Sequence, residues 1–426
     1  MGKNRINNFN ELATTENRKS ALAIMESGLE AIDTESVIFN SILLQDNVLS
    51  ISGKSFDLAN FKKIKVVGFG KGSSLAALAL EKILGSKIEK GAVIGLHKVD
   101  SKYIETFVGT HPRPSEINLE AGEKIYEIVK GSSEEDLIIV LVSGGGSALL
   151  CNSEDECEQG IRLYDAFLKS GKTITEINTI RKHLSILKGG GLAKIAYPAT
   201  VIGLIFSDIP GGNFENVASG PTYKDKTTVA DAEKIITENN LGEFNLVETP
   251  KEEKYFEKVH NFILVSNEIA IEAMVKKARE LNFEVNVIST DLYAEVGDVT
   301  KKIFSEKKNN AVVLAAGEPR LVILKKGGKG GRNLHMGLTA INNKMIDADS
   351  VFISFASDGM DNSDVAGAIV DKNTTEKAEK LGLSADDYLD NFDSYSFFQK
   401  TGDMIITGPT GANVSDLMIL LTKNNE

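Results

Sequence analysis

Short runs of Val, Ile and Leu recur along the chain, each closed by a loop and followed by a segment with helical spacing. They are KIKVVGFG (63–70), GAVIGLH (91–97), DLIIVLVS (136–143), ATVIGLIFS (199–207), NFILVS (261–266), EVNVIST (284–290), NAVVLAAG (310–317) and SVFISFAS (350–357). Runs that are apolar throughout predict strands buried on both faces, the habit of parallel sheets covered by helices. Their alternation with helices predicts an α/β layered fold with right-handed crossovers. In such sheets ligands collect at the carboxyl ends of the strands, so the loops there are where chemistry is expected.

Between about 222 and 260 the pattern weakens into a charged stretch with one helix, which reads as the link between two α/β units. The expected division is 1–245, a Rossmann-like domain with glycine-rich anion loops, and 246–426, a second α/β domain. An amphipathic helix over roughly 16–32 precedes the first strand and is assigned to neither by its pattern.

Several of the loops carry polar groups suited to an anion. VVGFGKGSSLAALAL places Lys71 after a glycine turn at the start of a helix, where free N–H groups and the helix dipole favour negative charge. As a dinucleotide turn it is imperfect, because Ser73 stands where the third glycine or alanine would sit and no acid ends the next strand. LVSGGGSALL empties a strand into Ser143, Gly144, Gly145, Gly146 and Ser147, so the backbone can approach a ligand closely with two hydroxyls beside it. In INTIRKHLSILKGGG the spacing of Arg181, Ser185 and Lys188 predicts one shared helical face with two cations. FLKSGKTI (167–174) has a Walker-like ending, but Ala166 occupies the earlier glycine position and the stretch lies between two helices, so it is rejected as a nucleotide loop.

Carboxylates follow strands at Asp208, Glu318 and Asp358, with Asp361 and Asp364 close behind. Acids on turns at strand ends hold Mg²⁺ beside a polyphosphate, although they also make turns and caps. Asp208 and Asp358 are the functional candidates, and Asp364 reads as a cap for the helix-like VAGAIV. GPTGANVSDL contributes Asn413 to a further loop. The stretch LKKGGKGGRNLHMGL (324–338) sets Gly330, Gly331 and Arg332 at a helix start.

Composition sharpens this picture. The 426 residues are 42% hydrophobic and 25% charged, with a formal net charge of −12. An acidic chain lacks the basic face that a nucleic-acid partner requires, so basic residues in glycine loops are the telling charges. No run is long enough to cross a bilayer, and the N-terminal MGKNRINNFNELATTENRK lacks the apolar core of a signal peptide. A cytoplasmic protein without membrane partner is expected. Its two cysteines, Cys151 and Cys157, have no metal-binding spacing and are expected to be reduced. Homo-oligomer formation is left open.

Taken in order, GFGKGSSLAA, THPRPSE, SGGGSALL, INTIRKHLSILKGGGLA, SDIPG…ASGPT, GGRN, SDGMDNSDVAGAIVD and GPTGANVSDL resemble the MOFRL-type glycerate 2-kinase family, from about residue 60 to 420. The resemblance implies ATP-dependent phosphorylation of D-glycerate to 2-phosphoglycerate in a cleft between two layered α/β domains with largely parallel sheets. It places Lys71 and Arg332 in the active centre. Phosphoryl transfer needs alignment and charge neutralisation more than covalent chemistry, which suits Lys71, Arg181, Lys188 and Arg332 as cations. Lys71 and Arg332 are expected to hold the glycerate carboxylate and the transferring phosphoryl group. Asp208 and Asp358 would hold Mg²⁺, or one would take the hydroxyl proton. The chain departs from the family at Leu334 and His335, where a Gln-Glu pair usually follows GGRN, and at Gly212, where an Asp is usual. The alternatives are a hydroxypyruvate reductase-like oxidoreductase, which needs a nicotinamide site, and a non-catalytic binding protein for glycerate-like phosphates.

Overall fold

The computed structural model describes residues 4–423 apart from 171–173, 324 and 326. The middle of the rejected Walker-like stretch, two residues of LKKGGKGGRN and the first three of the N-terminal segment therefore lie outside the described residues. Two compact units are present. The central unit is Thr34–Ile209 with Asn213–Leu264; the terminal unit is Met1–Asp33, Pro210–Gly212 and Val265–Glu426.

The central unit begins with an antiparallel meander, β1 (Ile42–Gln45), β2 (Val48–Ile51) and β3 (Lys54–Asp57). Six strands then form its main sheet: β4 (Lys63–Phe69), β5 (Ile88–Gly95), β6 (Ile104–Val108), β7 (Asp136–Ser143), β8 (Thr200–Phe206) and β9 (Val259–Val265). Their order is β6-β5-β4-β7-β8-β9, and the ladders from β6 to β8 are parallel. Every residue of β7 is buried, which is why its sequence is apolar almost without interruption. Phe69 is in register with Val142, and Ser143 with Phe206. The chain therefore leaves β4, β7 and β8 at one edge, carrying Lys71, Gly144 and Asp208 out together.

The terminal unit holds β10 (Glu284–Leu292), β11 (Ala311–Gly317), β12 (Ser350–Ala356), β13 (Gly367–Val370), β14 (Met404–Ile405) and β15 (Asp416–Thr422), in the order β10-β11-β15-β12-β13-β14. Here the expectation of a largely parallel sheet is corrected. Only β10 and β11 pair in parallel; β15 inserts between β11 and β12 and runs against both, and β13 runs against β12 and β14. The apolar pattern of these strands reports burial on two faces, and burial does not fix direction. The helix-like VAGAIV is also corrected, since Gly367–Val370 is a strand, and Asp364 accepts from Lys329 Nζ at 2.6 Å instead of capping a helix.

The domain boundary differs too. The weak segment after residue 222 stays in the central unit and leads into β9, while the helix Glu16–Ala31 belongs to the terminal unit. Buried Arg18 explains that placement. Its Nε and Nη2 donate to the two carboxylate oxygens of Asp371 at 2.7 Å each, and its Nη1 donates to Asp403 at 2.8 Å. On the same helix a Cβ at Gly28 would meet Met274 Sδ at 2.8 Å, so glycine lets this helix lie against Asn267–Glu280. A further correction concerns Cys151 and Cys157, which are joined in a disulfide. No helix among the described residues is long and apolar enough to cross a membrane.

Candidate active site

In the central unit the strand ends form one polar cavity of about 340 Å³. Lys71 enters from the turn after β4. That turn is fixed by the β7 loop: Lys71 N–H donates to Gly144 O at 2.8 Å, and Gly72 N–H to Ser143 Oγ at 3.1 Å. Gly70 has φ +120°, and a Cβ there would lie 2.3 Å from Ser143 O. Ser143 thus serves as a brace for the lysine turn.

The SGGGS loop then supplies the floor. A Cβ on Gly144 would come within 2.1 Å of Asp208 Oδ2, so the glycine is what lets the carboxylate rest on the loop. Gly145, at φ +78°, would meet Lys71 Cγ at 3.1 Å and His111 Nε2 at 3.2 Å. Gly146 starts a short helix beneath Phe69 and Ala218, and Ser147 Oγ lies 2.8 Å from Ser219 Oγ. Arg181, Asn178, Tyr164 and Asp208 complete the wall. His111 is held far below its usual range, at about 4, by partial burial and by the charges of Lys71 and Arg181. Its imidazole is therefore neutral at ordinary pH.

Of the predicted residues, the structure brings Lys71, Gly145, Ser147, Arg181 and Asp208 together, with Ser143, Gly144 and Gly146 shaping the loop. It does not bring Lys188 to them. The helix carrying Arg181 ends at His183, so the expected shared face with Ser185 and Lys188 does not form. Lys188 Nζ is instead buried, donating to Glu156 Oε1 at 2.5 Å and Leu150 O at 2.7 Å. The chain leaves the helix at Leu184, four residues before Lys188, where spacing alone indicated a continuous helix.

A second pocket, of about 440 Å³, lies in the terminal unit and is lined by Gly330, Gly331, Arg332, Asp358, Asn413 and Asp416 among others. Arg332 opens the helix Arg332–Asn342. Its Nε donates to Asp416, and its Nη2 lies 3.7 Å from Glu318. Burial pulls its pKa down, but Asp416 and Glu318 outweigh that and leave it raised. Asp361 caps this helix, accepting from Asn333 N–H at 3.0 Å and Leu334 N–H at 2.8 Å. A Cβ on Gly331 would strike the Asp361 carboxylate at 2.3 Å. Asn333 also donates to Asp416 at 2.8 Å. Burial pushes Asp416 up to about 7 despite Arg332 beside it. Asp358 Oδ1 accepts from Met360 N–H at 3.0 Å. Among the described residues no three His, Cys, Asp or Glu side chains cluster to hold a metal.

Sequence reasoning did not single out His111, Asn178, Tyr164, Asn333 or Asp416. The signal for Asp416 was present: it begins an apolar run, and a reversed β15 sets it in register with Gly317 and Ala356, the last residues of β11 and β12. The departures near Arg332 have structural reasons. Leu334 is fully buried in the core, and His335 stacks on Phe392 with ring centroids 6.0 Å apart, its pKa lowered by burial. Gly212 has φ +74°, a conformation that glycine adopts without strain.

The chain's relatives agree with this architecture. Residues 20–248 match a family model described as a domain of unknown function, DUF4147, and residues 311–416 match the MOFRL family. The chain is 34% identical to a glycerate 2-kinase of Pyrococcus horikoshii, over 95% of this chain and 97% of that one. It is 31% identical to a D-glycerate 2-kinase of Thermotoga maritima, over 94% and 97%. A protein of Agrobacterium vitis named as a putative hydroxypyruvate reductase is 34% identical over 84% and 86%. The crystal structure of a Thermotoga maritima glycerate kinase superposes with a TM-score of 0.82 at 31% identity, covering 95% of this chain and 99% of that one. With both halves matched and the order of elements shared along almost its whole length, the chain belongs to the MOFRL-type glycerate 2-kinase family.

Proposed function

We propose that the chain is an ATP-dependent glycerate 2-kinase, transferring the terminal phosphoryl group to the 2-hydroxyl of D-glycerate. The observation that carries this reading is the cavity in which Lys71 stands above the SGGGS loop with Asp208 resting on Gly144. Such a cavity offers a fixed cation, loop N–H groups and a carboxylate to a small hydroxy acid, which is what alignment and charge neutralisation require.

In this reading Asp208 takes the hydroxyl proton as the new O–P bond forms and the bond to the departing ADP breaks. Lys71 offsets charge on the transferring group. In the terminal unit Gly330, Gly331, Asn413 and Arg332 border the nucleotide phosphates. Asp358 fits Mg²⁺, because that ion is usually held by one or two carboxylates together with substrate phosphates. When bound, Mg²⁺ supplies further charge neutralisation.

The oxidoreductase alternative finds less support. Ser73 occupies the third position of the glycine turn, and β5 ends at Gly95 followed by Leu96, His97 and Lys98, with no acid for a ribose. The test is an assay of the purified chain with ATP and Mg²⁺ across D-glycerate, L-glycerate and glycerol, beside one with hydroxypyruvate and NADH. D-Glycerate-dependent ADP release supports the kinase. Turnover of NADH without it would overturn the reading.

A further inference from the structure

The four cations expected to meet the substrate are separated by what already holds them. Arg332 is engaged by Asp416 and Glu318. Lys188 is engaged by Glu156 and by the Leu150 carbonyl. Lys71 and Arg181 line one cavity, and among the described residues neither has an acid within ion-pair distance.

Arg181 is the more demanding of the two. Its side chain is partly buried in the cavity wall, and that burial lowers its pKa with little to compensate. An arginine does not shed its proton in a protein, and a buried charge without a counter-charge is costly. One helical turn before it, Asn178 is buried and lines the same cavity. Asn178 Oδ1 accepts from Ser219 Oγ at 3.4 Å, while its NH₂ group makes no hydrogen bond among the described residues. A planar fork of N–H donors with an amide NH₂ beside it matches a carboxylate, which arginine binds in bidentate fashion.

We propose that Arg181, supported by Asn178, is the carboxylate anchor of this cavity, and that Lys71 faces the oxygen on C2. The cavity then selects 2-hydroxy acids and their 2-phosphates over neutral polyols, and Arg332 has no part in holding the carboxylate. This rests on the kinase reading for the identity of the acid, but the anchor can be tested without turnover. The neutral His111 fits the assignment: it adds no third positive charge and leaves a lone pair for a hydroxyl.

The experiment is calorimetric titration of the full chain with D-glycerate, 2-phosphoglycerate and glycerol, with and without a non-hydrolysable ATP analogue. Wild type should bind both acids and not glycerol. Arg181→Ala should weaken D-glycerate about 100-fold, the loss expected when one partner of a buried charge pair is removed. Arg181→Lys should restore only part of it, and Arg332→Ala should bind the acid as wild type does. Thermal melts of ligand-free Arg181→Ala and Arg181→Lys should be no lower than wild type, since a merely structural arginine would lower them. Binding of D-glycerate by Arg181→Ala within threefold of wild type, or no acid bound by wild type in either condition, would overturn the proposal. Arg181-dependent binding of 2-hydroxy acids by a chain that transfers no phosphoryl group would sink the kinase reading and leave the anchor standing.

Discussion

Arg332 donates through Nε to Asp416, which arrives on a strand running opposite to its neighbours. The two residues act as a unit, because Asn333 bonds the second Asp416 oxygen and fixes the pair at the helix start. Asp416→Asn should therefore lower kcat/KM about 10²-fold, as expected when an electrostatic partner is lost. Arg332→Ala should do the same. The double variant should be little worse than either single one, the sign of coupled residues. Losses that simply multiply would show that the pair is not coupled.

The contact of Gly144 with Asp208 predicts a selective loss of activity. A methyl group at position 144 must displace a carboxylate that would lie 2.1 Å away. Gly144→Ala should cut kcat about 10²-fold, as small misplacements of reacting groups do. Circular dichroism should show the fold retained. Unchanged kcat would remove Asp208 from the chemistry.

Lys188 should behave as a structural residue. Its buried bond to Glu156 means that Lys188→Met strands a carboxylate, at a cost of about 3–5 kcal/mol. Denaturant unfolding measures this. In the variant's surviving folded fraction, D-glycerate affinity should match wild type, since Lys188 does not face the Lys71 cavity.

The depressed pKa of His111 gives a signed pH effect. Between about 4 and the ordinary value of 6.5 the unfolded chain binds a proton that the folded chain refuses. Stability from this source is therefore complete above 6.5 and is lost as the pH falls toward 4. His111→Asn should flatten that acid-side decline in melting temperature. NMR titration should find the ring deprotonated at pH 5 in wild type and shifted upward in Arg181→Ala, which lacks one of the two nearby cations.

Much of this architecture was legible in the sequence. All eight apolar runs became strands, and the loops following β4, β7 and β8 do share one sheet edge. Glycines adjoining a cation were a sound guide because close backbone approach leaves few other residues that fit, as at Gly70 and Gly145. What periodicity could not supply was direction and partnership. β15 looks like any buried strand, so its reversal hid Asp416. The spacing of Arg181 and Lys188 suggested one face, yet Glu156, thirty-two residues earlier in the chain, claims the lysine. Likewise the helix Glu16–Ala31 shows an apolar stripe, but only the Asp371 and Asp403 carboxylates around Arg18 reveal which unit it joins.

The most direct test of the central claim is the identity of the product. Wild-type chain, ATP, Mg²⁺ and D-glycerate should be followed by ³¹P NMR, with Lys71→Ala beside it. The account predicts a single new phosphate ester, 2-phosphoglycerate, appearing in step with ADP, and a rate about 10²–10³-fold lower in the variant. Inorganic phosphate without an ester, phosphate on C3, or a Lys71→Ala rate equal to wild type would contradict it.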